Sequence, residues 1–482
     1  MSTATTPPGV RPNAVVAVLA LAGIVVSLMQ TLVIPLIPKL PGLLSATPAN
    51  ATWAITATLL AAAVATPVVG RLGDMYGKRR LLVASLALLV VGSVVAGFSD
   101  TLAPMVVGRT LQGLAAGVVP LGISIMRDEL PPERLGGATA LMSASLGVGG
   151  ALGLPAAALL AEHADWHMLF WVSAALGVVA AALVLTVVPA SRVRAGGRFD
   201  APGAVGLSAV LVCLLLAVSK GADWGWTAPV TVGLFAAAAV VLVLWGWWES
   251  RTRQPLVDLR TTARRQVLLT NVASAVFGFA MFAQSLVLPQ VLQTPKTTGY
   301  GLGATMLTVG LVMAPSGLVM MVLAPVSARI TKARGPKVTL MIGALVVAAG
   351  YGLGVALLSA VWQLVLVSCL VGAGIGLAYG AMPALIMGAV PVAETAAANS
   401  LNTLMRSIGT SISSAVSGVV LAHVTIRLGT AEIPSQGAFR LVMAIAVGSA
   451  LGAVAIASFL PGRRRASADP GVPAASLATV ES

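Results

Sequence analysis

The 482-residue chain is predicted to fold as an all-α integral membrane protein with fourteen transmembrane helices, arranged as two six-helix bundles plus a two-helix insertion. Three observations predict this. Hydrophobic residues make up 58% of the chain and charged residues 9%, with a mean hydropathy of +0.97. Lysine and arginine fall on alternate loops. Short sequence elements recur about 258 positions apart.

Composition decides the solvent. A water-soluble domain carries about 25% charged residues. No soluble fold of this length has enough interior to hide so much apolar surface. Within lipid, backbone groups must bond inside a helix or a closed barrel. Barrel strands alternate over about ten residues, whereas the apolar runs here are continuous and longer. A helical span needs about 20 such residues. Fourteen segments qualify: 14–38, 50–70, 81–99, 102–126, 135–161, 168–188, 203–219, 228–248, 267–290, 302–327, 338–358, 362–388, 397–424 and 438–460. The abundance of glycine, 51 residues, suits close helix packing in lipid.

Loop charge tests the count. With the N-terminus inside, 22 of the 29 basic residues lie on cytoplasmic segments. Only Lys39, Lys220, Lys296, Arg427 and Arg440 border the outer side, and Arg109 and Arg406 fall within spans. That bias predicts a multi-pass protein of the cell membrane with both termini cytoplasmic. The formal charge of +14 is therefore a topology signal. It leaves no compact basic face for nucleic acid. Residues 1–13 read as a cytoplasmic tail before an uncleaved first span, and 461–482 as a disordered polar tail. Cys213 and Cys369 lie in apolar runs and suggest no disulfide. No P-loop indicates ATP-driven pumping. His163, His167 and His423 are dispersed, so no enzyme site, metal or cofactor is expected.

The repeat sets the architecture. Pro67, Gly70-Arg71-Leu72 and Gly77 are matched by Pro325, Ala328-Arg329-Ile330 and Gly335, offset by 258. Gly113 and Gly117 find Gly372 and Gly376, and Glu133 finds Glu394. Spans 2, 4 and 5 thus correspond to spans 10, 12 and 13. The simplest division is a bundle over 14–190, an inserted helix pair over 203–249, a cytoplasmic linker over 250–266 and a second bundle over 267–460.

Motifs then carry a resemblance. The loop Gly70-Arg-Leu-Gly-Asp74-Met-Tyr-Gly77-Lys78-Arg79-Arg80 resembles the major facilitator signature G-x-L-[AG]-D-x-x-G-[RK]-[RK]. Here Asp74 is expected to cap the next helix and pair with Arg127, forming a gating latch, while Lys78, Arg79 and Arg80 hold the loop inside. Lys332 stands where the second copy would have its acid. Arg109, Gln112 and Gly113 resemble the R-x-x-x-G coupling element of proton-linked members. Gly149, Gly150, Gly153 and Pro155 resemble the glycine-rich antiporter motif, with Gly-Leu-Pro for Gly-Pro. Trp166–Trp171, Asp200-Ala-Pro-Gly203 and Glu249-Ser-Arg-Thr-Arg-Gln-Pro-Leu-Val-Asp258-Leu resemble elements of the fourteen-span drug/proton antiporter branch. The chain is identified by this resemblance with the major facilitator fold.

The resemblance implies a monomeric secondary exporter of drugs or antibiotic-like molecules, working by alternating access and proton antiport. Its implied partners are a lipophilic or amphipathic substrate, the proton and membrane lipid. One departure bears on coupling. Gln30 stands where the branch usually has an acid in span 1, and glutamine takes up no proton. No carboxylate lies in the middle of a span. Gln30 and the altered glycine motif of span 5 give ground to the alternative, a proton-independent or proton-symporting metabolite transporter of the same fold. Polar groups within spans are the cavity candidates: Gln30, Asn271, Gln284, Asn399, Asn402 and Arg406, beside Arg109 and Gln112. An arginine at membrane depth costs about 2.5–3.5 kcal/mol on insertion scales and should face a cavity or a partner. Met306, Met313 and Met320 recur every seven residues and suit an adaptable pocket.

Overall fold

The computed structural model describes residues 12–33, 36, 40–190, 194–428 and 431–461. All but the first residue of the expected disordered tail over 461–482, and most of the N-terminal tail, lie outside the described residues. Fourteen helices are long and apolar enough to cross a membrane. The first six are α1 (Pro12–Thr31), α2 (Trp53–Tyr76), α3 (Lys78–Gly97), α4 (Leu102–Glu129), α5 (Pro132–His163) and α6 (Met168–Val187). The inserted pair is α7 (Ala201–Trp224) and α8 (Pro229–Arg251). The last six are α9 (Arg265–Gln293), α10 (Met306–Arg334), α11 (Pro336–Ala356), α12 (Val361–Met387), α13 (Thr395–His423) and α14 (Gln436–Ser458). α1 starts at Pro12, slightly ahead of the expected position, because proline fits the first turn of a helix.

One departure from an all-helical chain is a short hairpin between α13 and α14. Strand β1 (Thr425–Leu428) pairs antiparallel with β2 (Ala431–Pro434), Ile426 opposite Ile433. The Tyr300 hydroxyl donates to the Pro434 carbonyl and ties the hairpin to the α9–α10 loop. The sequence had marked this stretch only as a connection.

The halves meet through two helix pairs. α5 packs along α10, and α2 packs along α13. The repeat relates α2 to α10 and α5 to α13, so each pair is the counterpart of the other. Backbones come close at both. Gly70 of α2 lies against Ser400 and the Ala396 carbonyl of α13. Gly317 of α10 lies against Gly147 and Ala151 of α5. A Cβ on Gly310 would meet the Pro155 nitrogen at 2.9 Å. With no hydrophobic force between helices in lipid, such close approach provides the packing. α7 lies against both α2 and α13, while α8 is covered mainly by α7 and leaves much apolar surface exposed, including Val240, Val243 and Leu244.

Repeated glycines do the same work twice. On α4, a Cβ at Gly113 would meet Ala61 Cβ of α2 at 2.8 Å. On α12, a Cβ at Gly372 would meet Ser316 Cβ of α10 at 2.9 Å. The joints match as well. Gly77 links α2 to α3 at φ 112°, and Gly335 links α10 to α11 at φ 89°, each as the single residue between two helices. Such positive φ is strained for any side chain. Gly77→Ala and Gly335→Ala are therefore each expected to destabilise the protein by about 1–3 kcal/mol. Thermal unfolding in detergent reads this, with Gly233→Ala as the control, since a Cβ there meets nothing within 4 Å. Equal melting of all three variants would refute the assignment.

Candidate functional site

The end of the molecule where α1 begins carries most of the basic residues and is called the basic face below; the opposite end is the far face. At the basic face the halves are bound to each other by charge. The Asp74 carboxylate, at the end of α2, accepts from the backbone N–H groups of Ala397 at 2.9 Å and Ala396 at 3.3 Å. These are first-turn donors of α13, which have no partner inside their own helix. A helix N-terminus also carries partial positive charge, so an anion belongs there. Arg127, at the end of α4, donates to Thr395 Oγ1 at 2.6 Å and to the Val390 carbonyl at 3.1 Å.

This corrects two expectations. Asp74 caps α13 of the other half rather than the next helix, and it forms no ion pair with Arg127. Both side chains cross to the same segment because α13 begins directly beneath Gly70. Lys78 was expected to hold the loop inside. It is fully buried, 2.7 Å from Asp128 and 3.8 Å from Asp74. A buried charge needs such pairing. Arg79 donates to the Leu185 carbonyl at the end of α6. The Asp74 carbonyl accepts from Ala195 N at 2.7 Å, binding the α6–α7 connection to the same cluster.

Above this closure, toward the far face, lies a cavity of about 610 Å³ between α5, α9, α10 and α12. Its wall holds four methionines, Met281, Met306, Met313 and Met320. The seven-residue methionine spacing on α10 thus maps onto one cavity wall. Gly147, Gly150 and Ala151 line the opposite side, and among the described residues no charged side chain lines it. Gln284 contributes polarity. Its amide donates to Ser368 Oγ at 3.0 Å, while its buried Oε1 has no partner among the described residues.

The remaining candidates divide. Asn399, Asn402 and Arg406 border a void of only about 10 Å³ between cavity and latch, room for about one water. Tyr379 lines both spaces, and the Arg406 guanidinium lies 4.5 Å over its ring. Asn271 is buried behind this layer, accepting from Asn402 Nδ2 at 3.0 Å, and so joins α9 to α13. Gln30 is half-buried on α1 and lines none of these spaces. Arg109 does not reach the cavity either. It is buried within the first half, donating to the Ala54 carbonyl at 3.1 Å and to Gln112 Oε1 at 2.7 Å. Gln112 passes the chain on to Ser93 at 2.7 Å. Among the described residues no carboxylate pairs with Arg109. Gly113 packs on α2, whereas Gly149 and Gly153 pack on α1 and Pro155 on α10.

Two motifs that are distant in sequence meet at the foot of the insertion. Asp200 caps α7 by accepting from Gly203 N at 2.9 Å and also accepts from Trp248 Nε1 at 3.1 Å. Glu249 at the end of α8 accepts from Val257 N at 3.3 Å. Leu256 and Val257 are buried against side chains of α2, α7 and α13. Asp258 then caps the short helix Leu259–Thr262 through Arg260 N at 2.8 Å and Thr261 Oγ1 at 2.8 Å. Burial pushes its carboxyl up, but these hydrogen bonds outweigh burial and hold it below the usual range. Lys220 secures the other end of α7, donating to Thr52 Oγ1 at 2.5 Å beside α2. The sequence offered no signal for that contact, since Lys220 reads as an outer-loop charge.

The chain is similar to known proteins in sequence and in fold. A family profile described as Major Facilitator Superfamily matches residues 19–414 and 270–479. The tetracenomycin C resistance and export protein of Streptomyces glaucescens is 29% identical over 476 residues, covering 94% of this chain and 85% of that protein. An uncharacterised MFS-type transporter of Mycobacterium tuberculosis is 29% identical over 313 residues, 64% of this chain; the match spans 45% of that relative's length. The crystal structure of the human organic anion transporter MFSD10 (TETRAN) aligns over 94% of this chain and 100% of its own, with a TM-score of 0.65 at 16% identity. At that identity the likeness is one of fold.

Asp74→Asn is expected to loosen the basic face. Charge-assisted bonds contribute about 1.5–3 kcal/mol each, so the separated population should rise at least tenfold. Spin labels at the exposed Arg80 and Arg334, in opposite halves, would report longer distances. An unchanged distance distribution would remove Asp74 from the latch.

Proposed function

The chain belongs to the Major Facilitator Superfamily, and from that premise we propose that it is a secondary active exporter of lipophilic or amphipathic small molecules, of the drug or antibiotic class, working by alternating access. The observation that carries the reading is the uncharged, methionine-walled cavity between the two halves. Thioether side chains are flexible and polarizable and repack around different shapes. An apolar wall with a few placed polar atoms is the usual form of a small-molecule site. The name of the Streptomyces relative, a resistance and export protein, supports the direction of transport. The basic face is proposed to be cytoplasmic because lysine and arginine concentrate there.

The latch gives alternating access a physical basis. With Asp74 and Arg127 seated on α13, the basic end is held together along α2–α13 while the cavity lies toward the far face. Rocking the halves about the glycine contacts of α5–α10 would reverse this. Proton antiport is proposed with the coupling sites Arg109, Gln112 and Gly113 in the first half. Gln30 offers no proton, and no carboxylate lines the cavity. That observation favours a second reading, transport without proton exchange. Vesicles containing the protein and a lipophilic dye, assayed with and without an imposed pH gradient, separate the two. Antiport predicts dye accumulation that collapses with the gradient, and gradient-independent flux would eliminate it.

Gln284 should select by hydrogen bonding. Gln284→Leu is expected to weaken substrates that carry a donor by about 5–10-fold, the worth of one ordinary hydrogen bond. Fully alkylated analogues should be unaffected. Half-saturating concentrations for the two compound sets check this.

A further inference from the structure

The latch has an empty counterpart. The repeat carries Arg71 and Asp74 at the end of α2 onto Arg329 and Lys332 at the end of α10. It carries the start of α13 onto the start of α5. By pseudo-symmetry, Lys332 should close against α5 as Asp74 closes against α13. It brings the opposite charge, and the two helix ends border a cleft. Between α1, the start of α5, and the ends of α10 and α12 lies a cleft of about 990 Å³.

The cleft is built for an amphipathic anion. Arg127, Arg134, Arg329 and Lys332 border it against a single acid, Glu133. Neither Arg134 nor Arg329 forms an ion pair with a described carboxylate. Below the charges, Val16, Leu135, Leu141 and Met387 form an apolar wall. Gly136 and Gly137 leave it open, since a Cβ on either meets nothing within 4 Å. Basic pockets between helices at this level of a membrane suit acidic headgroups. We propose that the cleft binds an anionic phospholipid, with its phosphate among Arg134, Arg329 and Lys332 and an acyl chain along the apolar wall. The headgroup then supplies at α5–α10 the negative charge that Asp74 supplies at α2–α13. Because Arg127 faces the cleft and also binds Thr395, the bound lipid is positioned to bear on the latch.

The test uses the full chain in detergent, titrated with dioleoylphosphatidylglycerol and followed by native mass spectrometry, with dioleoylphosphatidylcholine as the neutral lipid. The wild type should bind one phosphatidylglycerol in preference to phosphatidylcholine. Arg329→Gln/Lys332→Gln should weaken it roughly thirtyfold, the worth of two basic contacts. Arg260→Gln/Arg265→Gln, which removes equal charge from the same face outside the cleft, should change it little. Gly137→Trp should block binding without altering the melting temperature in phosphatidylcholine. Equal loss in both double variants, or retention in Gly137→Trp, would overturn the site. Competition by millimolar inorganic phosphate alone would mark it as a free-anion site and overturn the lipid assignment.

Discussion

Asp74 accepts two backbone N–H groups from a helix in the opposite half, and the position of the cavity follows from that bond. A carboxylate on a helix N-terminus satisfies donors that the helix leaves open and meets the positive end of its dipole. The bond draws the start of α13 onto the end of α2, with Arg127 adding a second tie a few residues away. Lys78 and Asp128 keep the arrangement electrically balanced inside the protein. Removing one member of a buried set of this kind costs about 3–5 kcal/mol, because it strands the others. The closure is therefore firm while intact and sensitive to a single neutralised group. The halves are thereby held together along α2–α13, and the methionine-walled cavity lies toward the far face.

Much of this was legible in the sequence because it is written in backbone chemistry. Gly77 and Gly335 fall at the same offset and adopt the same kind of positive-φ joint. Gly113 and Gly372 admit neighbouring helices at equivalent places. A residue that lacks a side chain for steric reasons gives the same signal wherever the fold is repeated. The spans were legible for a similar reason, since hydrocarbon leaves a backbone few alternatives. The methionine spacing pointed to one face of α10, and that face lines the cavity.

Side-chain partners were less legible. Arg127 was paired with Asp74 of the signature loop, yet its partners are the carbonyl of Val390 and the hydroxyl of Thr395, more than 260 positions away. Lys78 looks like part of a solvated basic run, but only Arg80 of that run is exposed. Gln30 and Arg109 were grouped with the cavity because polar residues in spans need a reason to be there. The reason for Arg109 is local: backbone carbonyls of α1 and α2, together with Gln112, satisfy it. Polarity at membrane depth thus identifies a residue with a partner, and whether that partner is a substrate depends on which way the helix turns. The same ambiguity hid the union of Asp200 with the α8 linker, whose two motifs read as separate elements.

The cavity's charge balance follows from the same rule. Among the described residues Arg406 is the charged group beside the cavity, and it stands behind Tyr379, its guanidinium over the ring. A cation on an aromatic face in a dry setting gains about 2 kcal/mol. This compensates part of its burial without a carboxylate. The substrate space therefore presents an aromatic face and thioethers, with the positive charge held one layer back. A neutral or anionic compound entering it meets no repelling charge, and a hard cation finds no anion to replace its hydration. On the proposed reading, selectivity in this chamber is set first by desolvation and only then by the unpartnered oxygen of Gln284.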